Sequence, residues 1–137
     1  MTVINEKFSI MLKGGNDVVD ITPKVQGIVK ECEAQNGLVN VFVNSPSVSV
    51  FITNNELKNK TAINLIDSII PLNIDFSKDE IKYNPEEYSD IKASTMGHSI
   101  AIPVINKEME LLNTQKIILV DFSLNASFHD VIISLVY

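Results

Sequence analysis

The residues best suited to do chemistry lie in Ser45-Pro46-Ser47-Val48-Ser49, where three hydroxyls fall on alternate positions around a proline. A serine becomes a nucleophile only when a base takes its proton, and that base is most often a histidine within hydrogen-bond reach. The chain has two histidines, His98 and His129, and neither is close to this segment in sequence. No G-x-S-x-G elbow surrounds it, so the segment reads as a plain hairpin turn. The two histidines stand 31 positions apart. A site built from them with Asp90 or Asp130 lacks metal-ligand spacing, so both read as ordinary surface or strand-end residues. The acidic stretch Asp75 to Asp90 lacks the spacing of a calcium loop and reads as solvated. Gly14-Gly15 is too short for a phosphate-binding fingerprint. Cys32 has no nearby His or Arg to lower its pKa, and reads as an inert packing thiol.

Bulk properties restrict the partners further. The 137 residues make one domain, 1–137, large enough to bury a core without disulfide or metal staples. A net charge of −6 argues against binding to nucleic acid or an anionic membrane. No apolar run approaches the ~20 residues of a membrane span. The first residues lack the basic-then-apolar pattern of a signal peptide, so the expectation is a soluble cytoplasmic protein. All 11 basic residues are lysines. The bidentate Arg fork that commonly clamps phosphate is therefore missing from the chain.

The elements that would position these residues follow from hydrophobic periodicity. Glu6 to Leu12 alternates as a strand, and Val18 to Ile21 is a short strand leading into a helix. Thr22 is placed to cap that helix and Pro23 to open it. Val25, Ile28, Val29 and Cys32 form its apolar face, and Asn36-Gly37 ends it. Leu38 to Val43 and Val48 to Ile52 read as hairpin partners. A second helix is expected from about Asn55 to Ile70, then an irregular stretch over 72–89 and a short helical turn from Asp90 to Gly97. Four strands follow, at Ser99 to Val104, Glu108 to Leu112, Lys116 to Ser123 and Phe128 to Tyr137. The apolar runs Gln115 to Val120 and Val131 to Val136 should be covered on both faces. Strands dominate and two main helices intervene, which makes the fold class α+β.

Two blocks of the chain resemble the YjbQ-like family, whose members are described as secondary thiamine-phosphate synthases. Asp20-Ile21-Thr22-Pro23-Lys24-Val25 followed by Gly37-Leu38-Val39-Asn40-Val41-Phe42-Val43 is similar to its D-I-T-P-x-V helix and G-x-V-x-V-F-V strand. Ile91-Lys92-Ala93-Ser94, with Gly97, Ser99, Pro103 and Val104, resembles its H-I-K-A-x-x-x-G-x-S-x-x-x-P-V segment. Gln115-Lys116-Ile117 and Asp121-Phe122 match its W-Q-x-I and E-F-D ending more weakly, and the likeness runs from about residue 6 to 137. It implies a single-domain mixed sandwich of β-sheets and a homotrimer with sites near subunit boundaries.

The positions that would carry the family's activity have changed. Its first histidine, in P-H-T-T-A, corresponds to Ser45, and the histidine opening H-I-K-A corresponds to Asp90. Its Y-x-H histidine has no counterpart around Tyr83 and Asn84, a glutamate falls at about Asn54, and the terminal D-G-P-R reads Ser123-Leu124-Asn125-Ala126. A zinc-type site needs about three ligands from imidazole, thiolate or carboxylate, and only Asp90 keeps one. The expectation is therefore no metal, no cofactor and no assigned catalytic residue. The protein reads as a non-catalytic structural or regulatory subunit, or as a binder of a small anion through Ser45, Ser47, Asp90, Lys92 and Gln115. The alternative is an active thiamine-phosphate synthase-like enzyme whose site is remodelled at a subunit interface.

Overall fold

The computed structural model describes residues 1–54 and 85–137, and the helix expected over 55–70 lies outside the described residues. Within them the chain runs β1 (Val3–Leu12), β2 (Asp17–Asp20), α1 (Thr22–Glu31), β3 (Gly37–Asn44), β4 (Val48–Asn54) and α2 (Pro85–Met96). It continues with β5 (Ser99–Ile105), β6 (Glu108–Met109), β7 (Gln115–Asp121) and β8 (Ser127–Val136). The strands form two antiparallel sheets, ordered β1-β8-β3-β5-β6 and β2-β7-β4. This is the expected α+β sandwich.

One core fills the space between the sheets. Val39, Val41 and Val43 of β3 and Val131, Ile133 and Leu135 of β8 meet Val48 and Val50 of β4 and Ile117 and Leu119 of β7. Val25 and Val29 bring the apolar face of α1 onto the same core, and Cys32 is buried there as expected. On the other side of β7, Ile118, Val120 and Phe122 pack against Ala93 of α2. The apolar run of β7 is thus covered on both faces, as its sequence implies. β8 differs: its residues alternate between buried and half-buried from His129 to Val136, so only one face meets the core.

The sequence places β3 and β4 in one hairpin, but the structure separates them. β3 is flanked by β5 and β8, leaving no free edge, and β4 pairs with β7 in the other sheet. Ser45-Pro46-Ser47 is therefore a corner crossing between sheets, not a hairpin turn. The expected helical turn at Asp90 is also longer, because α2 begins at Pro85. Pro85 suits a first helical turn and Glu86 and Glu87 complement its dipole. Gly97, at φ +100, ends the helix with its N–H bonded to the Ala93 carbonyl.

Thr22 starts α1 but does not cap it. Ile21 is the N-cap, with no side-chain cap bond. The Thr22 hydroxyl instead accepts the backbone N–H of Ile117 at 2.8 Å, just beyond the end of β2. Thr22→Val keeps the shape and removes the acceptor, leaving a donor on the fully buried Ile117 unpaired. The expected loss is about 1–3 kcal/mol, read from the urea midpoint. An unchanged midpoint would show that this bond contributes nothing.

Candidate functional site

Strand alternation brings two ionisable side chains into the end of the sandwich. Asp121 closes β7 on the face of Ile117 and Leu119, and His129 lies on β8 on the face of Val131 and Ile133. Both are buried, at 0% and 8% exposure. The sheet-to-sheet corner adds Ser45, whose Oγ is 2.9 Å from His129 Nδ1. The Ser127 Oγ lies 3.0 Å from His129 Nε2, and Asp121 Oδ2 lies 3.5 Å from the same nitrogen. Asp121 Oδ1 accepts the backbone N–H of Ser123 at 3.0 Å and faces the Ser47 hydroxyl at 3.5 Å. Asp121 Oδ2 is buried with no hydrogen bond of its own among the described residues.

His129 is thus neither a surface residue nor an idle strand end, in contrast to its sequence reading. The histidine missing from the sequence neighbourhood of Ser45 is supplied by a strand 84 positions away. His98 is structural. Its Nδ1 can only donate to the Val48 carbonyl at 2.8 Å, and its own carbonyl accepts the Val43 N–H.

A cleft of about 280 Å³ opens beside this cluster, lined by Pro46 and Ser47 of the corner, Glu86, Ser89 and Asp90 of α2, and Ser123–Asn125 and Ser127. Its size falls just below the range of small-molecule sites, roughly 300–1,000 Å³. The wall is held rigidly. The Ser89 hydroxyl donates to the Phe122 carbonyl at 2.6 Å, and Phe122 N–H donates to the Ser47 carbonyl. Behind the loop, Gly14 has φ +74, and a Cβ there would come within 2.9 Å of Ser123 and Asn125 backbone atoms. Only glycine lets that turn approach so closely.

The residues singled out in the sequence divide in two. Ser45, Ser47 and Asp90 gather at this end of the fold. Asn54 and Gln115 pair with each other at the opposite end of β4 and β7, where Gln115 Oε1 accepts the Leu112 N–H. Six residues of strand separate them from Asp121, roughly 20 Å. Lys92 is buried beneath the rings of Tyr88 and Phe122, 5.6 and 5.7 Å from their centroids, and is not part of the cleft lining. Among the described residues no three His, Cys, Asp or Glu side chains converge, and the Ser45 hydroxyl is bonded to an imidazole.

Comparisons with known proteins agree with this architecture. The family model described as UPF0047 protein YjbQ-like matches residues 6–136. A UPF0047 protein of Methanothermobacter thermautotrophicus is 27% identical over 118 residues, covering 85% of this chain and 81% of that protein. A YbjQ-like protein of unknown function from Sulfolobus solfataricus superposes with a TM-score of 0.80 at 18% identity, over 98% of both chains. An uncharacterised conserved protein of the same family from Clostridium acetobutylicum gives 0.77 at 22% identity, over 96% of this chain and 99% of that one.

Proposed function

The chain belongs to the YjbQ-like UPF0047 family, and from that premise we propose that it binds a small polar ligand and does not make thiamine phosphate. The observation that carries this reading is the Ser45–His129 bond. The position that resemblance assigns to a family histidine holds a hydroxyl committed to a different imidazole. A hydroxyl that stays protonated near neutral pH is a poor replacement for a metal-binding or acid–base histidine.

The lining narrows the ligand. Its described residues offer the hydroxyls of Ser47, Ser89, Ser123 and Ser127, the amide of Asn125 and the carboxylates of Glu86 and Asp90, with no cation among them. A small anion, the ligand expected from the sequence, would meet like charge there. A neutral, oxygen-rich molecule meets donors and acceptors without that repulsion, and it is the class this reading adopts.

The homotrimer is part of the same reading. The outer face of the five-stranded sheet exposes Val3, Leu38 and Phe42, which supports burial against a second copy. No helix among the described residues is long and apolar enough to cross a membrane, and we take the protein to work in the cytoplasm. One tag-free preparation tests the reading. Elemental analysis should find well under one zinc per chain, and light scattering should give about three times 15.2 kDa. Stoichiometric zinc would contradict the metal-free reading, and a monomer would remove the interface.

A further inference from the structure

We propose that Ser45, His129 and Asp121 form a nucleophile–base–carboxylate relay that makes Ser45 reactive toward small neutral carboxylic esters entering the adjacent cleft. The inference uses the cleft but not the loss of thiamine-phosphate chemistry, so each stands or fails separately.

Two hydroxyls compete for the imidazole, and the ring tautomer decides which is activated. If the proton is on Nδ1, that nitrogen donates to Ser45 and Nε2 presents a bare lone pair toward Asp121 Oδ2, 3.5 Å away. That leaves a fully buried carboxylate oxygen with no proton to face, which is costly in a low-dielectric interior. If the proton is on Nε2, it points toward Asp121 Oδ2 and Ser127 Oγ, and Nδ1 accepts the Ser45 O–H at 2.9 Å. The buried carboxylate selects this second arrangement. It has the polarity of a serine–histidine–aspartate relay, with the two ring nitrogens exchanged. The 3.5 Å separation exceeds hydrogen-bond reach, and such contacts commonly tighten only when substrate binds.

The location agrees with the assignment. Ser45 is half-buried at the corner, behind the cleft lining and directly before its residues Pro46 and Ser47. Ser127, on the other nitrogen, also lines the cleft. In the first step Ser45 Oγ bonds to the ester carbonyl carbon while its proton passes to His129 Nδ1. The carbon–alkoxy bond then breaks, and the alkoxide leaves as an alcohol with that proton. Water attacks the acyl–Ser45 ester, passing a proton to Nδ1. The carboxylic acid departs and the proton returns to Ser45 Oγ. The balance is ester plus water to acid plus alcohol.

Diisopropyl fluorophosphate tests this directly, since Ser45 Oγ would displace fluoride and retain one phosphoryl adduct. Intact mass should show one adduct per folded chain, peptide mapping should place it on Ser45, and Ser45→Ala should abolish it. The urea-unfolded chain, which lacks the aligned base, should react at least about 100-fold more slowly. No adduct on the folded chain, an adduct on Ser127 or any other residue, or equal rates for folded and unfolded chains would overturn the proposal.

Discussion

Asp121→Asn is expected to lower the rate of Ser45 labelling by a factor of about 10³–10⁴ while leaving the fold intact. The substitution is isosteric, and the amide oxygen still accepts the Ser123 N–H that Oδ1 accepts at 3.0 Å. The change falls on the side facing His129. There an acceptor becomes an NH₂ donor, which turns the Nε2 lone pair toward itself and moves the ring proton to Nδ1. Nδ1 then donates to Ser45 where it had accepted, and the serine loses its base. Stability should move by less than about 1.5 kcal/mol, since one hydrogen-bond partner is exchanged for another. A labelling rate that stays at the wild-type level would show that Asp121 does not set the tautomer. A large stability loss with a proportionate loss of labelling would reduce Asp121 to a structural residue.

Much of the frame that holds this cluster is legible in the sequence. The near-continuous apolar run of β7 anticipates a strand covered by the sandwich core on one face and α2 on the other. The Thr22-Pro23 pair marks the start of α1, although the hydroxyl serves Ile117 and not the helix. Helix-cap chemistry and a tertiary bond need the same side chain at the same place, so the residue type alone does not separate them.

The cluster itself is hidden because its members are local neighbours of nothing relevant. Ser45 and His129 are 84 positions apart, and only the pairing of β3 with β8 brings them together. Alternation carries a partial signal. Asp121 shares a face with Leu119, and His129 with Val131, so a buried carboxylate and a buried imidazole follow once those faces are identified as core. A hairpin reading of Ser45 to Ser47 hides this. A two-strand turn would have left both serines at a solvated tip, whereas a crossing between sheets places them at the mouth of the core. Pro46 fits both, because a residue without an N–H suits any segment outside a ladder. The early part of α2 is illegible in the sequence for a different reason. The acidic residues that solvate a loop are also those that favour a helix N-terminus, and Glu86 and Glu87 serve there.

We propose that this YjbQ-like fold keeps the family frame while its cleft does not support thiamine-phosphate chemistry. The resemblance places family histidines at Ser45 and Asp90, where a hydroxyl bonded to His129 and a carboxylate now stand, with no cation among the described lining residues. Lys92, the family-like cation two residues after Asp90, is buried under two aromatic rings. Complementation is the most direct measurement. This chain, expressed in a bacterial strain lacking thiamine-phosphate synthase, should give no growth without added thiamine, while an authentic synthase expressed in parallel restores it. Growth equal to that control, from soluble protein at comparable abundance, would contradict the account.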